Sequence, residues 1–133
     1  MHTEYAVLAW GCVLALVHIF AASTVRTAQY GTAWNAGNRD TDMPPPTPMV
    51  GRLMRAQGNF FETFPLVIAL VALLGLAGIH TRWTAAGSVV WLVARVAYLP
   101  IYAAGITYVR SLVFLVSLAG IMMMLWPLLL ATL

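Results

Sequence analysis

The stretch Gly51-Arg52-Leu53-Met54-Arg55-Ala56-Gln57-Gly58-Asn59-Phe60-Phe61-Glu62-Thr63-Phe64-Pro65 decides how the chain must be read. At about 100° per residue, Arg52, Arg55, Asn59 and Glu62 fall within a sector of about 80°, a polar stripe running roughly 15 Å along one helix. Leu66 to Ile79 follow without a single charge, so the helix that carries the stripe runs on into apolar surroundings. Arg52 and Arg55 alone would suit side chains snorkelling to a membrane surface. Glu62, with Thr63, Phe64 and Pro65 behind it, lies deeper. An ion in hydrocarbon costs about 2.5 to 3.5 kcal/mol even on insertion scales, so such a group pairs, lines a cavity, or does both.

The rest of the chain is built to hold such a helix. Of 133 residues, 62% are hydrophobic and 8% charged, where a soluble domain has roughly 25% charged residues; a soluble domain is excluded. A bilayer core needs about 20 apolar residues per helix, and the chain divides into four such spans, near residues 5–26, 48–78, 83–104 and 108–132, with one substantial loop near 29–47. The expected fold is an all-α integral membrane protein: a four-transmembrane-helix up-down bundle forming a single domain over residues 1–133. Thr47 and Pro48 read as an N-cap and a first helical position. Pro65, Pro100 and Pro127 fall inside helices and are expected to bend them. No basic region precedes the first span, which therefore reads as a retained helix rather than a cleaved signal.

Charge placement gives a topology. All seven bases are arginines. Arg26, Arg39, Arg52, Arg55 and Arg110 gather on the side of the long loop and the third connection, and Arg82 stands alone on the other. That bias puts the long loop in the cytoplasm, with both termini on the non-cytoplasmic side. A net charge of +3 spread over hydrophobic helices is no basic stripe, so nucleic acid is not expected as a partner. Cys12 reads as a small packing residue, His18 as a neutral, hydrogen-bonded interior or interfacial histidine, and His80 with Arg82 as a solvated turn. No metal cluster, nucleotide loop or serine triad is present.

A second polar stripe, Arg95, Tyr98 and Tyr102, falls at i, i+3 and i+7 in the third span. Arg95 then lies roughly 15 Å from the helix end near Gly105, a depth comparable to that of Glu62, and the two are expected to pair. Arg26, Arg52, Arg55 and Arg110 remain in excess. With Asn59, Tyr98, Tyr102 and Ser111 they outline a pocket for a small anion, since arginine suits planar, multidentate recognition of carboxylates.

These motifs resemble those of the membrane-associated proteins in eicosanoid and glutathione metabolism (MAPEG). The resemblance rests on Arg52-Leu-Met-Arg55-Ala-Gln-Gly-Asn59-Phe-Phe-Glu62-Thr-Phe-Pro65, on Arg95-Val-Ala-Tyr98-Leu-Pro-Ile-Tyr102, on Arg110-Ser111, on Arg26 and on the four-span layout. It looks most like the small bacterial branch, which places the protein in a bacterial cytoplasmic membrane. The resemblance implies a homotrimer with glutathione as co-substrate between neighbouring subunits. Arg110 would be the catalytic residue, and Arg26, Arg52, Arg55, Asn59, Glu62, Arg95, Tyr98, Tyr102 and Ser111 would bind. The implied activity is that of a glutathione-dependent transferase or peroxidase acting on a hydrophobic electrophile or lipid peroxide delivered through the membrane lipid. Gly58 departs from the prostaglandin synthase branch, which has another arginine there, and Phe114, Leu115 and Leu118 fall where that branch is polar. A non-enzymatic protein holding a fatty acid or other lipid anion in the same pocket is the alternative. A four-helix cation exporter fits worse, because its glutamate would stand in the first helix and arginines suit anions.

Overall fold

The computed structural model describes residues 1–133 as an all-helical chain with no strands. The elements are α1 (Thr3–Tyr30), α2 (Thr32–Ala36), α3 (Pro48–Ala77), α4 (Arg82–Ala103) and α5 (Val109–Leu130). All but α2 are long and apolar enough to cross a membrane. Large apolar side chains such as Trp10, Phe20, Leu66 and Leu73 remain exposed on the outside of the bundle, as expected of a surface whose solvent is lipid.

Helix ends follow from local chemistry. Thr47 caps α3, its hydroxyl accepting from the Val50 amide at 3.5 Å, with Pro48 in the first turn. α3 stops at Gly78, whose φ of 66° is left-handed; the Ile79 amide returns to the Leu74 carbonyl and the Gly78 amide to the Gly75 carbonyl. The same pattern closes α4: Gly105 has φ 74°, with Ile106 bonded to Ile101 and Gly105 to Tyr102. Thr81 and Thr84 form a capping box at the start of α4. Helical structure runs through Pro65, Pro100 and Pro127.

The long connection is more ordered than a reading of its turn residues suggests. α1 extends to Tyr30, and α2 occupies part of the expected loop. Gln29 Nε2 donates to the Pro45 carbonyl at 3.0 Å, Gln29 Oε1 accepts from the Thr47 amide at 2.8 Å, and the Tyr30 hydroxyl donates to the Pro44 carbonyl at 2.8 Å. The proline run is thus strapped to the end of α1.

α1 lies antiparallel on α3, with Tyr5 against Gly75 near one end and His18 stacked on Phe60 nearer the other. α4 and α5 make the most extensive pair. The α4–α5 crossing is close because a Cβ on Gly120 would stand 2.6 Å from the Gly87 carbonyl oxygen, the small-residue contact that lets membrane helices approach. Phe60, Phe64 and Trp91 form the aromatic centre, with the Phe64 and Trp91 rings parallel at 5.9 Å. Cys12 is exposed rather than packed inside: it falls on the outer face of α1, where lipid replaces core.

Candidate functional site

The arginines gather where α3 begins, α4 ends and α5 begins. Arg55 Nε donates to the Tyr102 hydroxyl at 2.9 Å, and the Arg55 and Arg110 guanidiniums lie over the Tyr102 ring at 5.9 and 4.7 Å from its centroid. Arg52 Nε donates to the Ala103 carbonyl at 3.0 Å, so one of its donors is spent on closing α4. Together with Pro48, Gly105 and Thr107, these residues line a polar hollow of about 290 Å³. Three guanidiniums surround one hollow at the positive end of the α3 dipole, a chemistry suited to carboxylates.

Arg110 also borders a second hollow of about 260 Å³, formed with Asn59, Tyr98, Ser111, Phe114 and Leu115. Half of that lining is apolar, so one guanidinium is shared between a charged compartment and a greasy one. The chain leading to Arg110 is strained. Tyr108 has φ 59° and ψ −55°, and the Val109 amide bonds back to the Thr107 carbonyl at 2.6 Å, the rare γ-turn of positive φ. Such a conformation costs of the order of 1–3 kcal/mol and persists where neighbours over-determine it.

The expected Glu62–Arg95 pair does not form. Arg95 is fully buried; its Nη1 donates to Asn59 Oδ1 at 2.8 Å, and its guanidinium lies 4.4 Å from the Tyr98 ring centroid, 5.4 Å from that of Phe60 and 6.0 Å from that of Phe114. Its Nε and Nη2 have no partner. Asn59 and Glu62 share a helix face one turn apart, and the aromatic cage sets Arg95 against the nearer one. Glu62 is exposed on the outside of the chain, without an ion pair. Arg26, at the far end of α1, is half-buried and its Nε has no partner. Arg26, Glu62 and Arg95 line neither hollow, whereas Arg52, Arg55, Asn59, Tyr98, Tyr102, Arg110 and Ser111 do.

Pro48, Gly105 and Thr107 were not anticipated. Gly105 carries a sequence signal, since a glycine after an apolar span marks the helix end that faces the hollow; Thr107 carries none. His18 is 1% exposed but has no hydrogen-bond partner on either ring nitrogen, its face instead stacked on Phe60 at 4.7 Å. His80 is not a solvated turn residue. It packs with Glu4, Tyr5 and His2 at the other end of the bundle.

Fold and site together define an integral membrane protein of four spans with a cationic pocket at one end of the bundle and a half-apolar hollow against it. Comparison with family models then settles its kinship: the MAPEG family model matches residues 7–130, and the chain belongs to that family. The family includes glutathione transferases and peroxidases among other members. A search of curated proteins gives no significant match.

Proposed function

We propose that the protein is a glutathione-dependent membrane transferase or peroxidase acting on a hydrophobic electrophile. The observation that carries this reading is the position of Arg110 as the common wall of a cationic hollow and a half-apolar one. Glutathione has two carboxylates for guanidiniums to bind and a thiol that reacts as its thiolate. In the polar hollow Arg52 and Arg55 hold carboxylates, while Arg110 faces the sulfur and favours its charged form. The electrophile sits among Phe114, Leu115 and Tyr98. In conjugation the thiol proton passes to water, the sulfur forms a bond to carbon, and the leaving group departs with its electron pair. With a lipid peroxide, two glutathione thiols are oxidised to the disulfide while the peroxide is reduced to an alcohol and water.

Assembly as a homotrimer, with residues 1–133 as one MAPEG-like membrane domain, belongs to this reading. Arg26, half-buried at the end of α1, and Glu62, exposed on α3, make no ion pair, and a neighbouring subunit would bring them to glutathione from across the interface. The arginine-rich end faces the cytoplasm by the positive-inside bias, with both termini on the opposite side of a bacterial cytoplasmic membrane. A second reading shares the geometry: the half-apolar hollow would also seat an acyl chain, with a fatty-acid carboxylate on Arg110, and no chemistry would follow.

Conjugation of glutathione to 1-chloro-2,4-dinitrobenzene by the detergent-solubilised protein separates the two. The transferase reading requires a rate above background that falls roughly 10²–10³-fold in Arg110→Ala, the usual effect of removing one preorganised charge-stabilising donor. Equal rates in both proteins, or no catalysis with any thiol tried, favour the binding protein.

A further inference from the structure

The end of the bundle opposite the arginines carries a second polar cluster that the proposed reaction does not use. Glu4, in the first turn of α1, is only 1% exposed. Thr84 Oγ1 of α4 donates to Glu4 Oε1, and Nδ1 of His80, in the turn between α3 and α4, stands 3.7 Å from Glu4 Oε2. On its other edge His80 Nε2 meets the Tyr5 hydroxyl at 3.3 Å. His2 lies flat on His80, with ring centroids 3.6 Å apart and planes 4° apart, and the Tyr5 ring stands edge-on to both. The His2 carbonyl accepts from the Tyr5 amide at 3.1 Å and the Ala6 amide at 3.3 Å. Seating the His2 ring on His80 therefore also fixes the first turn of α1.

We propose that this cluster is a proton-operated latch on the N-terminal end of α1. Neutral imidazoles stack, whereas two imidazolium rings face to face repel. Glu4 is the only carboxylate in the cluster, and it faces His80 rather than His2. Among the other titratable groups at this end, Tyr5 presents a hydroxyl, Arg82 and the Met1 amine are exposed cations without an ion pair, and the exposed C-terminal Leu133 makes no ion pair with the cluster. A first proton is accommodated on His80, with Nδ1–H toward Glu4 and Nε2–H donating to the Tyr5 oxygen. A second, on His2, stacks a cation on a cation with no carboxylate beside it and opens the latch. Opening withdraws the His2 carbonyl from the Tyr5 and Ala6 amides, so α1 loosens at the end opposite its Arg26. The acidity that operates the device is that of the aqueous face opposite the arginine pocket.

Amide hydrogen exchange on the full-length, detergent-solubilised protein tests this, with rates corrected for their intrinsic pH dependence. Between roughly pH 7.5 and pH 5, the interval in which histidines charge, protection of the Tyr5 and Ala6 amides is expected to fall about two- to fivefold, the scale of a solvent-exposed charge–charge interaction. Amides in the middle of α1 should not change. His2→Phe keeps a flat ring on His80 but cannot charge, so it retains protection at both pH values. Unchanged wild-type protection across the interval, or a His2→Phe protein that loses protection as the wild type does, overturns the proposal.

Discussion

Replacing Asn59 by alanine removes the one hydrogen-bond partner of a wholly buried guanidinium. A hydrogen bond to a charged group contributes about 1.5–3 kcal/mol, and breaking a buried charge pair costs about 3–5 kcal/mol because the survivor stays unpaired. The rings of Tyr98, Phe60 and Phe114 still face Arg95 after the substitution, which puts Asn59→Ala at a loss of about 2–4 kcal/mol. Arg95→Met removes the charge itself and leaves Asn59, half-buried, within reach of water in the adjoining hollow; a cost of about 1–2 kcal/mol follows from the packing change. The double variant has neither charge nor orphan, so it should match Arg95→Met to within about 0.5 kcal/mol. The coupling energy then equals the Asn59→Ala loss to within about 0.5 kcal/mol, or about 1.5–4 kcal/mol. Reversible unfolding of the four proteins in mixed micelles, followed by circular dichroism, gives the cycle. A loss below about 0.5 kcal/mol for Asn59→Ala, or single losses that simply add, would refute the reasoning.

Three other substitutions probe the frame and the site. Tyr108→Gly removes the side chain from a left-handed position and should stabilise the protein by about 1 kcal/mol, read by the same unfolding measurement. Gly120→Ala drives a Cβ into the Gly87 carbonyl and the Trp91 amide and should cost about 1–3 kcal/mol, with the loss of helicity on denaturation moving to lower denaturant. Tyr102→Phe keeps the ring beneath Arg110 but loses the acceptor of Arg55. Because Arg55 is exposed, stability should change by less than about 1 kcal/mol, while calorimetry of glutathione should show a weaker complex, weaker again in Tyr102→Leu.

How far the sequence leads is visible in single residues. The four spans were legible because composition decides membrane insertion, and the start of α3 because Thr47 and Pro48 carry cap chemistry of their own. The gathering of Arg52, Arg55, Tyr102 and Arg110 was legible because helical periodicity and span ends put them at one level. The partner of Arg95 was not. Asn59 and Glu62 share one face a single turn apart, so the choice depends on the rotation and height of α4 against α3, which packing around Phe60 and Trp91 sets. The γ-turn at Tyr108 was invisible for a different reason: neither glycine nor asparagine stands there to announce a positive φ. The Glu4–His80 contact joins residues with no shared helix period, and the strap from Gln29 and Tyr30 to the prolines uses backbone carbonyls, which no side-chain pattern reveals.

The central claim is that the arginine-lined hollow binds a carboxylate-bearing thiol with its sulfur at Arg110. The most direct test is thermal unfolding of the solubilised wild-type and Arg110→Ala proteins across a glutathione titration, since a ligand selective for the folded state must raise its stability, by about 2.7 kcal/mol at a hundredfold excess over Kd. The account predicts a saturable rise in Tm for the wild type and a rise in Arg110→Ala that needs at least about tenfold more glutathione, the weight of one charge-assisted contact. A wild-type Tm unmoved by millimolar glutathione, or the same titration curve for both proteins, would contradict it.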